Sequence, residues 1–159
     1  MNRTIPSLGK RGGGWVVIQF SLLALMLVAG YLGERWAAPE RLPLLIGGIV
    51  IAVLGAALLT SGFVGLGPSL TPYPRPKNNA SLRAGAGYRL VRHPIYGGLL
   101  LIGIGWGLST SVLGMLPLVC LAIVLDFKSR REELWLLERF PAYAQFRQQV
   151  PSRFLPWVW

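Results

Sequence analysis

Four runs of apolar residues, divided by short segments that hold nearly all of the charge, constrain this chain more than any other feature. A helix rises about 1.5 Å per residue and a bilayer's hydrocarbon core is about 30 Å thick, so roughly 20 apolar residues suffice to cross it. WVVIQFSLLALMLVAGYLG at 15–33 and LPLLIGGIVIAVLGAALLTSGFVGLG at 42–67 meet that length. The small residues Gly47, Gly48, Ala52, Gly55 and Ala56 recur at helical spacing in the second run, which lets a neighbouring helix approach closely. The run from Ile95 to Phe127 is too long for one crossing, and LSTS at 108–111 interrupts it. It predicts a tight hairpin of two short helices, 94–108 and 112–127. Residues 68–93 begin with a stretch rich in Pro, Asn, Ser and Gly and read as a loop.

The basic residues test this count. They number 3 before the first run, 2 between the first and second, 5 in the 68–93 loop, 0 in the hairpin turn and 6 after residue 127. That alternation fits four crossings with both termini cytosolic, because cytoplasmic segments retain Lys and Arg. The start MNRTIPSLGKR resembles the basic region of a signal peptide. The apolar run behind it is longer than a signal core and lacks an A-x-A site, so an uncleaved helix is expected. The fold class expected is an all-α integral membrane protein, a single domain with four transmembrane helices, the last two a tight hairpin, and cytosolic C-terminal amphipathic helices over 128–159.

Composition agrees. Hydrophobic residues make up 53% and charged residues 14%, against the quarter or so usual in soluble domains. A net charge of +10 would point to nucleic acid in a soluble protein. Here the bases lie between apolar runs, so topology and anionic membrane lipids account for them, and no nucleic-acid partner is expected. Cys120 is the only cysteine, excluding an intrachain disulfide, and within MLPLVCLAIVL it reads as a small core residue. A catalytic metal needs about three protein ligands; with one histidine and few carboxylates, no metal is expected.

Two segments outside the apolar runs carry chemistry. The first is GYRLVRHPIYGG at 87–98, where the chain's only histidine, His93, stands between Arg92 and Pro94 with Tyr88 and Tyr96 nearby. A histidine at a membrane surface can simply bond a headgroup or a carbonyl, or it can belong to a ligand site. The second is the tail. Residues 126–140 lack Gly and Pro, so the fourth helix should continue beyond the membrane until Pro141 stops it. Beyond it Tyr143, Phe146 and Val150 share the face of an amphipathic helix. Lys128, Glu132, Trp135 and Arg139 also share a face, which suits either a solvated ion pair or a site. Glu133 points away from that face and reads as solvated.

GYRLVRHPIYGG followed by EELWLLERFPAYAQFRQQVPSRFLP resembles the isoprenylcysteine carboxyl methyltransferase family and the related phospholipid methyltransferases. The likeness covers roughly residues 70–157. It implies an integral membrane enzyme that uses S-adenosyl-L-methionine. By motif, Tyr88, His93, Pro94, Ile95 and Tyr96 would line the cofactor pocket, Glu132 would meet the cofactor, and Ser81 and Leu82 would touch it from the loop. Gly97 and Gly98 would leave room for a ligand against the backbone. Lys128 stands four residues before Glu132, where the eukaryotic enzymes carry an arginine that holds substrate.

The acceptor stays open. A carboxylate, as in isoprenylcysteine O-methylation, arrives ionised and needs a cation, which Lys128, Arg92 or Arg139 can supply. A phosphatidylethanolamine-type amine needs a base, and His93 is the candidate. A small thiol is the third acceptor, and a membrane adaptor or lipid-binding protein that keeps the fold is the non-enzyme alternative. The partners expected are a lipophilic or lipid-modified substrate and membrane lipids, in a prokaryotic cytoplasmic membrane.

Overall fold

The computed structural model describes residues 5–77 and 85–159. Regular structure there is helical, with no strand among the described residues. The helices are α1 (Gly13–Leu32), α2 (Arg41–Leu66), α3 (Pro94–Ser109), α4 (Met115–Arg139) and α5 (Tyr143–Gln149). Single 3₁₀ turns at Gly67–Ser69, Ala86–Arg89 and Val112–Gly114 punctuate the connections. Three stretches, Gly13–Leu32, Arg41–Ser69 and Val112–Arg139, are long and apolar enough to cross a membrane. The fourth apolar helix, Pro94–Ser109, has 16 residues and spans only about 24 Å.

The outward faces are greasy. Val17, Phe20, Ile49, Val53 and Val64 are all exposed, as suits helices whose solvent is lipid rather than water. With apolar surroundings on the outside, helix pairing rests on close backbone approach, and glycine supplies it. Along its length α2 buries only Gly48, Gly55 and Gly62, one every seven residues. Gly55 meets Gly98 of α3 so closely that a Cβ there would lie 2.8 Å from the Gly98 carbonyl oxygen. Gly48 meets the Gly105 carbonyl in the same way, with Ala52 beside it, whereas nothing approaches Gly47. Two of the five small residues singled out in this run, Gly48 and Gly55, therefore form the closest part of the seam, and Gly62 extends it.

The α3–α4 hairpin forms as its sequence suggests, but each arm leans chiefly on an earlier helix, α3 on α2 and α4 on α1. The core between them holds Met26, Leu100, Leu118, Leu121, Leu125 and Phe154. Trp106 Nε1 donates to the Met26 carbonyl at 3.2 Å and ties α3 to α1. Cys120 corrects the sequence reading: it is exposed on the outer side of α4 rather than a core residue.

The α4 helix ends at Arg139, since Phe140 turns extended (φ −127°, ψ 92°) ahead of Pro141. The chain then returns to the start of α3. Arg92 N–H donates to the Ser152 carbonyl at 3.0 Å and His93 N–H to the Arg153 carbonyl at 2.8 Å. Phe154, with no exposed surface, sits beneath them. Gly97 and Gly98 are thus filled by protein and leave no ligand space: a Cβ on Gly97 would collide with the Phe154 carbonyl, and Gly98 packs on α2.

Candidate functional site

His93 is the residue before α3, and Pro94 starts the helix, a position where proline's missing N–H costs nothing. The Ala86–Arg89 turn just upstream packs Tyr88 against Gly65 of α2. The C-terminal half of α4 brings Lys128, Glu132 and Glu133 to the same place. Tyr96 lies one turn into α3, its ring stacked on His93 at 5.4 Å with a 3° interplanar angle. Its hydroxyl donates to Glu132 Oε2 at 2.9 Å, and His93 Nδ1 lies 3.8 Å from the same oxygen.

Two cavities share this wall. The inner one, about 260 Å³, is mostly apolar, with Phe20, Leu23, Leu59, Phe63 and Leu99 in its lining and Gln19 and Lys128 as its polar end. The outer one, about 90 Å³, is lined by Tyr73, Pro74, Arg92, Phe140, Tyr143 and Phe146 among others. Leu66, Thr71, Tyr88, His93 and Glu132 line both. An aromatic chamber that carries Arg92 and the Tyr143 hydroxyl and a greasier one therefore meet at one histidine and one carboxylate.

Lys128 is 2% exposed, so the solvated-pair reading fails for it. Its Nζ donates to Gln19 Oε1 and, at 3.1 Å, to the Pro72 carbonyl, and lies 5.1 Å from the centre of the Tyr96 ring. The charge is thus solvated by neutral acceptors and a π face, an arrangement that leaves it attractive to an anion in the inner cavity.

Glu133 overturns the expectation of a solvated side chain most clearly. It is 4% exposed and accepts from Arg92 Nε at 2.8 Å. His93 Nε2 lies 3.2 Å from the same oxygen, with Arg153 Nε and Arg147 Nε each 3.7 Å from the carboxylate. Arg92 Nη1 in turn donates to the Val150 and Pro151 carbonyls. Arg92 is therefore engaged by Glu133 and the tail, and it lines the outer cavity only.

Burial first, and Glu132 second, push the Tyr88 phenol well above its ordinary range. The same holds for Tyr143, through burial and then Glu133 and Glu132. Both stay protonated donors at neutral pH. The Tyr143 hydroxyl is buried on the outer cavity with no hydrogen-bond partner among the described residues. An unmet buried donor is costly unless a ligand or water meets it.

Of the residues named from sequence, Tyr88, His93, Ile95, Tyr96, Lys128 and Glu132 come together around the inner cavity. Pro94 lines neither chamber; it is buried against Gly62 and Gly87. Ser81 and Leu82 lie outside the described residues. Gln19, Glu133 and Tyr143 were missed. Gln19 carried a usable signal, a polar side chain inside an apolar helix. Glu133 stands in the EELWLL motif beside Glu132, but its partners at 92, 93, 147 and 153 are distant in sequence and no local pattern names them.

No protein-family model matches the chain. It is 31% identical over 150 residues to the cobalt-zinc-cadmium resistance protein CzcN of Cupriavidus metallidurans, an alignment covering 91% of this chain. The chain spans 63% of that protein's length. Among the described residues no group of three or more His, Cys, Asp or Glu side chains is placed to hold a metal ion.

Proposed function

We propose that this protein is an integral membrane methyltransferase of the isoprenylcysteine carboxyl methyltransferase type. It moves a methyl group from S-adenosylmethionine to a lipophilic acceptor, and a carboxylate is the acceptor the site suits best. The observation that carries the reading is the meeting of an aromatic chamber, which holds Arg92 and the unmet Tyr143 hydroxyl, with a larger apolar chamber at His93 and Glu132. In this reading α3 is a fourth, short crossing, and the termini and both chambers' polar ends face the cytosol of a prokaryotic cell.

The residues present fit the cofactor. Glu132, whose side chain is 25% exposed at the shared wall, offers a carboxylate to an ammonium. The unmet Tyr143 hydroxyl offers a donor to a ligand oxygen. Tyr88 offers an aromatic face to a cation or an adenine, the Tyr96 ring being already stacked on His93 with Lys128 Nζ over it. Bound S-adenosylmethionine supplies an electrophilic methyl group on a sulfonium. The protein's part is alignment and exclusion of water. Phe20, Leu23, Phe63 and Leu99 keep the inner chamber dry and admit an apolar tail. Lys128 holds the acceptor's carboxylate, already ionised, at the end nearest Glu132. An amine acceptor is the second reading, favoured by the His93 ring at the wall.

The test is incubation of the purified protein in lipid with methyl-labelled cofactor and a cellular lipid extract. Label is expected in an organic-soluble product and, for a carboxylate acceptor, to be released by mild base as an ester would be. Absence of both cofactor binding and label transfer would sink the proposal.

A further inference from the structure

We infer that Glu133 is a positioning residue: it accepts the Nε2 proton of His93 and so presents Nδ1, unprotonated, beside Glu132 as a paired acceptor for a ligand ammonium or amine. The ligand half of this inference rests on the methyltransferase reading; the positioning half does not.

A carboxylate surrounded by the Arg92, Arg147 and Arg153 guanidiniums is ionised and can only accept. The 3.2 Å contact between Glu133 Oε1 and His93 Nε2 therefore requires the hydrogen to be on Nε2. In a neutral ring Nδ1 then carries the lone pair. The ring has little freedom to turn, being stacked on Tyr96 and set edge-on to Phe154 at 6.1 Å. Its backbone N–H is also held by the Arg153 carbonyl. Nδ1 faces Glu132 Oε2 across 3.8 Å, too far for a direct hydrogen bond, at the wall both chambers share. A ligand N–H donor between these two acceptors can bond both. The donor can come from the cofactor's ammonium or from an amine headgroup.

His93 is the only histidine in the chain, so isotope-labelled histidine in the full-length protein in lipid nanodiscs reports a single imidazole. At neutral pH its long-range nitrogen–proton spectrum should show a pyrrole-like Nε2 and a pyridine-like Nδ1. A protonated Nδ1, alone or with Nε2, overturns the inference. Glu133→Leu, which removes the acceptor altogether, should shift the ring toward the other tautomer or a mixture, and a folded variant with the wild-type pattern overturns the positioning role. Glu132→Gln leaves Glu133 in place and should keep the pattern, so its loss would reassign the tautomer to Glu132 and overturn the claim even if Glu133→Leu does not fold. Adding S-adenosylhomocysteine, or separately phosphatidylethanolamine in place of phosphatidylcholine, should move Nδ1 while Nε2 holds. The arm that moves it identifies the source, and no movement in either overturns the paired acceptor. An intact tautomer with no S-adenosylhomocysteine binding by calorimetry upholds the positioning role and counts against the methyltransferase reading alone.

Discussion

Glu132→Gln removes one charge and almost no volume, which makes it the sharpest probe of the proposed cofactor site. The side chain is three-quarters buried at the wall between the chambers, and its Oε2 accepts from Tyr96 at 2.9 Å. A glutamine oxygen can keep that bond, so the local packing should persist. What is lost is the charge that faces the ligand's ammonium. A hydrogen bond to a charged group contributes about 1.5–3 kcal/mol. At about 1.4 kcal/mol per tenfold, affinity for S-adenosylmethionine should fall by about 10- to 150-fold. Calorimetry on the protein in nanodiscs measures it, with thermal unfolding as the control, which should barely move. The neighbouring Glu133→Gln should differ by lowering thermal stability as well. It leaves the Arg92 guanidinium and the His93 ring without their charged partner, while Arg153 keeps Asp126, and breaking a buried ion pair costs about 3–5 kcal/mol of stability. Equal cofactor affinity for wild type and a folded Glu132→Gln would refute the assignment of the ammonium to this carboxylate.

Lys128→Met removes a buried charge but leaves Gln19 and the Pro72 carbonyl without their donor, so stability should fall by no more than about 1–3 kcal/mol, while turnover on a carboxylate acceptor falls at least tenfold in a labelled-methyl assay. Gly98→Val should collide with the Gly55 carbonyl and Leu59 and lower stability by more than about 1–3 kcal/mol; Gly47→Val, with nothing within reach, should be near neutral in the same unfolding experiment. Removing residues 150–159 should abolish cofactor binding, because the carbonyls that hold Arg92 and His93, and Phe154 beneath them, go with it. Reporter fusions at Gly67 and after Trp159 should read cytosol and one at Ser109 the far side, and a far-side C-terminus would exclude four crossings.

Much of the scaffold was legible because the bilayer reduces folding to a one-dimensional condition, a run of apolar residues long enough to satisfy its own backbone bonds. Each of the first two runs became a helix within two residues of its sequence limits, and Pro141 and Pro94 mark a helix end and a helix start. The cluster of Tyr88, His93, Tyr96 and Glu132 was legible as a motif, and the fold places these side chains in one wall. Lys128 was half legible: its helical face could be read, but its burial under Gln19 and Pro72 could not.

The sequence by itself determined the helical class, the membrane-length runs and the polar cluster at the start of α3, since these depend on local composition and periodicity. Only the tertiary structure decided what the cluster's neighbours do. Glu133 is one residue from Glu132 and, by helical rotation, about 100° away from it. Sequence pattern assigns such a residue to the solvent face. It becomes the buried partner of Arg92 and His93 because the tail folds back and covers that face with Ser152, Arg153 and Phe154. No local pattern encodes that return, for its energy comes from contacts between segments some 40 to 60 residues apart.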